Sequence, residues 1–289
     1  MTQRLGDSDV VAKNGGAGER LARWYEARRR VIETALTVGG AVAVVGALVG
    51  LFPYGDEIAG FGPMGDASAY WLAARSESPY QWQPGMAEFR YSPAFLWLIA
   101  PISWLPWELF AAVWVLLHVS VLWWFRAPWL LAFPPVTDDI IRGNISLFLA
   151  AMIVLAIRYP GLWAFGFLTK VTPGIGVAWQ LGRRDWRGVL VAGLTTGLVV
   201  GLGLVIDRSL WREWWDSLFV GAEDINTVIS LPIRVMVGSA IVVAAAVRQD
   251  SRLVPVGVAM AMPTLWLSSF AVLAALVPLS RFRRTYGDV

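Results

Sequence analysis

Cysteine is absent from the 289-residue chain, which excludes disulfides, thiolate metal sites and cysteine nucleophiles and says nothing about redox compartment. Histidine occurs once, as His118, too few for the usual zinc constellations. Charge is also scarce: Asp, Glu, Lys and Arg make up 16% of residues, against about 25% in an average globular chain. No glycine-rich phosphate loop precedes a strand, and no basic, aromatic-interleaved surface asks for nucleic acid. What fills the space is apolar. Hydrophobic residues reach 57% and the mean hydropathy is +0.57, with 17 tryptophans and 28 glycines. Tryptophan favours membrane interfaces and glycine is tolerated in packed membrane helices, so the composition points to a helical bundle in a bilayer.

Residues 1–30 carry seven Lys/Arg against four acidic residues and read as a flexible, cytoplasmic basic tail under the positive-inside rule. The apolar run 31–52 is too long for a signal-peptide core and reads as a retained signal anchor. Further apolar runs cover 94–106, 107–125, 127–136, 144–157, 161–181, 188–206, 231–247, 253–262 and 263–279, with prolines at many of their ends. Alternate threading puts the acidic loops 53–93 and 207–230 outside. The basic turn 183–187, Arg248, Arg252 and the tail 281–289 then fall inside. The expectation is an all-α, polytopic transmembrane helical bundle of about eight to ten membrane segments, with both termini cytoplasmic and the main domain over residues 31–280. The shorter segments, the fourth, fifth and ninth, are candidates for re-entrant half-helices. Two external stretches read as interfacial helices: 209–220, where Leu210, Trp211, Trp214, Trp215 and Leu218 recur at helical spacing, and more weakly 66–77.

Ionisable residues in or beside the bilayer are costly and commonly functional. Asp66, in Gly65-Asp66-Ala67-Ser68, is a candidate general base for an incoming hydroxyl; the plainer reading is a helix N-cap. Lys170, in Thr169-Lys170-Val171-Thr172-Pro173, lies deep in its apolar run. Such a lysine faces an anionic substrate group, a phosphate above all, or pairs inside the bundle with an acid or with carbonyls freed by Pro173. Arg90 and Arg234 are candidates to clamp a phosphate, or to snorkel to headgroups. The threading sets Arg142 and Asn144 inside, apart from an external site unless their turn is buried at mid-membrane. His118 reads as a helix-packing hydrogen-bond donor.

Taken in order, these landmarks resemble glycosyltransferase family 87. They are the anchor, Gly65-Asp66 with Tyr70, Ser78-Pro79-Tyr80, Phe89-Arg90-Tyr91-Ser92-Pro93, Leu105-Pro106, Gly143-Asn144 where the family favours Gly-Gln, and Lys170 with Pro173. Asp185-Trp186-Arg187 and then Asn226, Ser230 and Arg234 follow. The chain is shorter than typical members, and Pro263-Thr264-Leu265-Trp266 stands where the family often carries a histidine. The resemblance implies a GT-C-like fold with an external active site open to the lipid. It implies a polyprenyl-phosphate sugar donor, mannose first, a lipid or glycan acceptor, and an inverting transfer needing no metal or other cofactor. Asp66 would be the catalytic base, with Tyr70, Arg90, Tyr91, Asn144, Lys170 and Arg234 binding substrate. Two other readings stand beside it: a transporter or flippase for a lipid-linked or anionic substrate, and a non-catalytic relative.

Overall fold

A computed structural model describes residues 8–49, 63–81, 89–218 and 229–286. Among these residues every regular element is helical. Helix α1 (Ser8–Val49) is followed by α2 (Gly65–Ala73), α3 (Pro93–Ser103), α4 (Trp107–Trp124), α5 (Pro134–Arg142), α6 (Ser146–Ala156) and α7 (Trp163–Thr169). Then come α8 (Ala178–Gly182), α9 (Trp186–Ile206), α10 (Arg208–Ser217), α11 (Leu231–Val247), α12 (Leu253–Met260) and α13 (Leu276–Tyr286). Short 3₁₀ turns join several of them, at Pro128–Ala132, Pro160–Leu162 and Thr172–Val177; a longer one, Leu267–Ala275, packs along α5 and α6. Helix α1 begins well inside the stretch expected to be a flexible tail. Three acidic residues of the loop expected outside, Asp56, Glu57 and Glu88, and Asn226 lie outside the described residues.

Among the described residues three helices are long and apolar enough to cross a membrane: Gly18–Val49 within α1, then α4 and α9. Only 11% of the apolar stretch of α9 is buried inside the protein, and Leu190, Leu194, Leu198, Leu202 and Ile206 are exposed along it. A helix that is apolar on all sides and so little covered by protein belongs in lipid. Helices α5 and α6 form a fourth candidate span if taken together, but they bend by 114° at their junction. The chain is therefore a helical membrane protein with three or four candidate spans by length and composition among the described residues, where about eight to ten segments were expected. The expectation counted each apolar run as a crossing, whereas proline and positive-φ breaks divide several runs into pieces too short to span.

Strict alternation fails for a second reason. It sets α2 on one side of the membrane and the α3–α4 turn on the other. Yet Trp71 Nε1 donates to Leu105 O at 2.9 Å and Arg75 Nε to Ser103 O at 2.7 Å, so the two lie side by side. The turn at Gly143-Asn144, assigned inside, packs against Trp114 and His118 half-way along α4. Its placement apart from Asp66 is thus corrected: the turn is buried at the level of the middle of a spanning helix.

Close packing depends on small residues. A Cβ on Gly40 of α1 would stand 2.3 Å from the Leu131 carbonyl carbon, so α1 touches the 128–132 turn backbone to backbone. Gly238 of α11 and Gly257 of α12 face each other, each Cβ position within 2.6 Å of the other's carbonyl oxygen. Such small-residue contacts are how helices approach without a hydrophobic driving force between them. The amphipathic helix expected near residues 209–220 is present as α10, with Trp211 and Trp214 buried and Trp215 exposed.

Candidate functional site

Helix α2 starts on an unusual residue. Met64, its N-cap, takes φ 57°, and its N–H donates to Ile141 O of α5 at 2.6 Å. Asp66 follows in the first helical turn, where the helix dipole favours a carboxylate. It caps nothing. Instead its Oδ2 accepts from Asn144 Nδ2 at 2.6 Å, across 78 residues of chain.

Asn144 reaches Asp66 because of Gly143. That glycine ends α5 at φ 69°, a left-handed conformation that costs other residues about 1–2 kcal/mol. A Cβ there would also sit 2.5 Å from Ala67 Cβ, so only glycine lets the turn close on α2. Beyond it Asp139 accepts from Ser146 N at 3.1 Å and Leu147 N at 2.9 Å, satisfying two donors at the start of α6. The 114° bend thus has a physical origin: a left-handed stop, then a restart capped by a buried acid. Asp139 went unnoticed in the sequence, although a carboxylate inside an apolar stretch is the signal that finds it.

Lys170 arrives from a third direction. The run 161–181, expected to be one span, breaks beside it. Val171 takes φ 59° and ψ −64°, and Thr172 N donates to Lys170 O at 2.7 Å. This is a γ-turn of the rare, strained kind, formed here around a β-branched residue for which positive φ is an outlier. Pro173, lacking an N–H, helps to prevent the helix from continuing. From the break Lys170 Nζ donates to Asn144 Oδ1 at 2.8 Å. One amide therefore touches both groups: its nitrogen faces the acid, its oxygen the amine. The orientation is fixed independently, because the backbone N–H of Ile145, which can only donate, points at the same Oδ1 from 2.7 Å.

Burial pushes the Asp66 carboxyl above its ordinary range, opposed by the charge of Lys170 and the hydrogen bond from Asn144. Behind the amide His118, fully buried, has Nδ1 2.8 Å from Trp114 O and Nε2 2.7 Å from Asn144 O. Asp139 Oδ2 is 3.6 Å from Nε2.

Of the other candidates, Tyr70 and Tyr91 share a hydrogen bond between hydroxyls at 2.8 Å and stand edge to face, their ring centroids 5.0 Å apart. Tyr70 also contacts Trp114, so the pair borders the same turn. The Arg90 carbonyl accepts from Trp214 Nε1 at 3.1 Å, tying the Phe89–Ser92 strip to α10. Arg234, 1% exposed, donates to the carbonyls of Ile229, Met262 and Pro263. Neither arginine is brought to the Asp66–Asn144–Lys170 group by a described hydrogen bond. Ser92, overlooked as a lone residue, is buried and donates to Leu168 O, holding the end of α7 against α3.

Beside this group runs an apolar groove of about 990 Å³ between α7, α9 and α10. Leu168 and Val171, which flank Lys170, line it together with Gly197 and Leu204 of α9; its polar lining comes from Arg208, Arg212 and Asp216. Since α9 is so little covered, the groove is accessible from the lipid side.

The model of glycosyltransferase family 87 matches residues 89–287, taking in Asn144 and Lys170 but beginning after Asp66 and Tyr70. No curated protein and no solved structure matches the chain. With a family match over more than half its length, and a carboxylate, an amide and an amine joined inside a helical membrane bundle, the chain belongs to glycosyltransferase family 87.

Proposed function

We propose that this membrane glycosyltransferase moves a hexose, mannose first, from a polyprenyl-phosphate donor to a hydroxyl of a lipid or glycan acceptor, in one inverting displacement. The observation that carries the reading is the amide of Asn144, with Asp66 at 2.6 Å on one side and Lys170 at 2.8 Å on the other. In the proposed step the acceptor oxygen attacks the anomeric carbon while Asp66 takes its proton. The bond from that carbon to the phosphate oxygen breaks, and the lipid phosphate leaves toward the Lys170 ammonium. A fixed cation beside a developing negative charge is most effective where water is sparse. The raised proton affinity of the half-buried Asp66 suits a base that must accept a proton during the step.

A lipid-borne donor is supported by the groove beside Lys170, whose apolar wall suits an isoprenoid chain and whose arginines on α10 suit an anionic end. The phosphate contact is assigned to Lys170. Arg234, spent on three carbonyls, is read as a clamp between α11 and the turn after α12. The site is proposed to face the outside of the plasma membrane in a GT-C-like bundle, with both termini in the cytoplasm. The broken helix at Lys170 also occurs in transporters, but membership in a family of transferases favours reading it as part of a catalytic site.

The test is sugar transfer in membranes supplied with radiolabelled polyprenyl-phosphate mannose. Wild-type protein is expected to transfer label and Asp66→Asn is not. Transport of the lipid across vesicles with no sugar transferred would overturn the reading.

A further inference from the structure

The two groups assigned to chemistry do not touch each other; Asn144 stands between them. We propose that Asn144 is a positioning residue and does not itself bind substrate, and that His118 holds it in place from behind. This rests on the reading of Asp66 as the base, and it goes further by naming what makes that carboxylate usable.

The geometry leaves the amide no capacity for a ligand on its oxygen. Asn144 Oδ1 receives Lys170 Nζ at 2.8 Å, Ile145 N at 2.7 Å and, more weakly, Ser146 Oγ at 3.4 Å. Its nitrogen gives one of its two N–H groups to Asp66 Oδ2. The residue is 7% exposed. Two consequences follow for Asp66. One oxygen is committed, while the other accepts from no described residue and stays open to an acceptor hydroxyl. Lys170 is also held on the amide oxygen, which fixes where its ammonium stands to meet a phosphate.

The amide in turn needs a fixed backbone. Gly143 O accepts from Trp114 Nε1 at 2.8 Å, and Asn144 O lies 2.7 Å from His118 Nε2. Both anchors stand on α4, one turn apart. Asp139, by capping α6 next to the same imidazole, closes the support. His118 is therefore a remote participant: it reaches Asp66 only through Asn144.

A hydrogen bond that favours the carboxylate form lowers the pH at which it protonates. Without the amide, Asp66 would gain its proton at higher pH. The other titratable or charged groups facing Asp66 are Lys170, Asp139 and Arg142 and the hydroxyls of Tyr70 and Tyr91, none of which changes in the variants below.

The experiment is an infrared titration of the full-length protein in lipid nanodiscs. Subtracting Asp66→Asn isolates the protonated carboxyl band of Asp66 in each background. Asn144→Leu, similar in size but without donor or acceptor, should move the midpoint up by about one to two pH units. Asn144→Gln, which keeps an amide, should return it most of the way. His118→Phe should shift it in the same direction by less. It is also the second test should the leucine variant not fold. A midpoint unmoved, or lowered, in folded Asn144→Leu or His118→Phe would overturn the proposal. The band is read without any sugar transfer. If Asp66→Asn turned out to retain transfer, the proposed chemistry would fail while the positioning role stood.

Discussion

At the scale of single residues the account turns on Asp66 and Lys170, whose roles differ in time. The carboxylate is needed to receive a proton, the amine to meet charge that appears as the phosphate leaves. Loss of a general base commonly costs about 10²–10⁴-fold, so Asp66→Asn should cut kcat by that much with the protein still folded. Lys170→Met should also act on kcat more than on KM, by about 10²–10³-fold, because its proposed contact strengthens only as the bond breaks. Steady-state kinetics on the purified pair checks both.

The pH dependence has a definite sign. Burial raises the Asp66 proton affinity, and the base works only when ionised. The rate should therefore fall on acidification at a pH above the ordinary carboxylate value of about 4. Stability runs the other way: a carboxyl whose folded value is raised binds more protons folded than unfolded, so it withdraws stability as pH rises from its unfolded to its folded value. Asp66→Asn removes that burden. It should melt no lower than wild type at neutral pH, and higher if the desolvation is felt in full, while being inactive.

At the scale of elements, the site exists because α5 and α7 stop, and α2 starts, where they do. Gly143 ends α5 with a positive φ and with Ala67 in the space of its missing Cβ. Gly143→Ala should therefore destabilise by about 1–2 kcal/mol from the backbone alone and push α2 away from Asn144. Transfer is expected to fall more than thermal stability. Val171 offers the opposite case: its strained conformation, worth about 1–3 kcal/mol, is relieved in glycine. Val171→Gly should keep or raise the melting temperature while slowing transfer, since Lys170 would no longer be aimed at the amide. A variant both less stable and fully active would refute this use of strain.

The same elements show what could be read from the sequence. The borders of α4 and α11 follow from their apolar runs and flanking prolines, and α10 from the spacing of its tryptophans. The singling out of Asp66, Asn144 and Lys170 needed only the rule that polar groups are rare in such a chain. Their convergence did not follow, because it depends on backbone events without periodicity: the left-handed stop at Gly143, the γ-turn at Val171 and the cap from Asp139. Nor did the number of spans. A run of apolar residues looks alike whether it crosses a bilayer or folds back within the protein.

At the scale of the whole molecule, a bundle that buries its polar group half-way along α4 must still admit a lipid from the side. The groove along α9 provides the entry in this account. A Cβ added at Gly197 meets nothing within 4 Å, so Gly197→Leu should fold normally while filling the groove. It is expected to raise KM for a long polyprenyl-phosphate donor at least tenfold and to leave a short-chain water-soluble analogue little affected. Equal effects on both donors would remove the groove from the lipid's route.

The most direct measurement of the central claim is a rapid-mixing single-turnover assay with polyprenyl-phosphate mannose, comparing wild type, Asp66→Asn and Lys170→Met. The account predicts that both variants bind donor at near wild-type levels and that neither releases lipid phosphate at more than about one hundredth of the wild-type rate. Release from Asp66→Asn at the wild-type rate would contradict it.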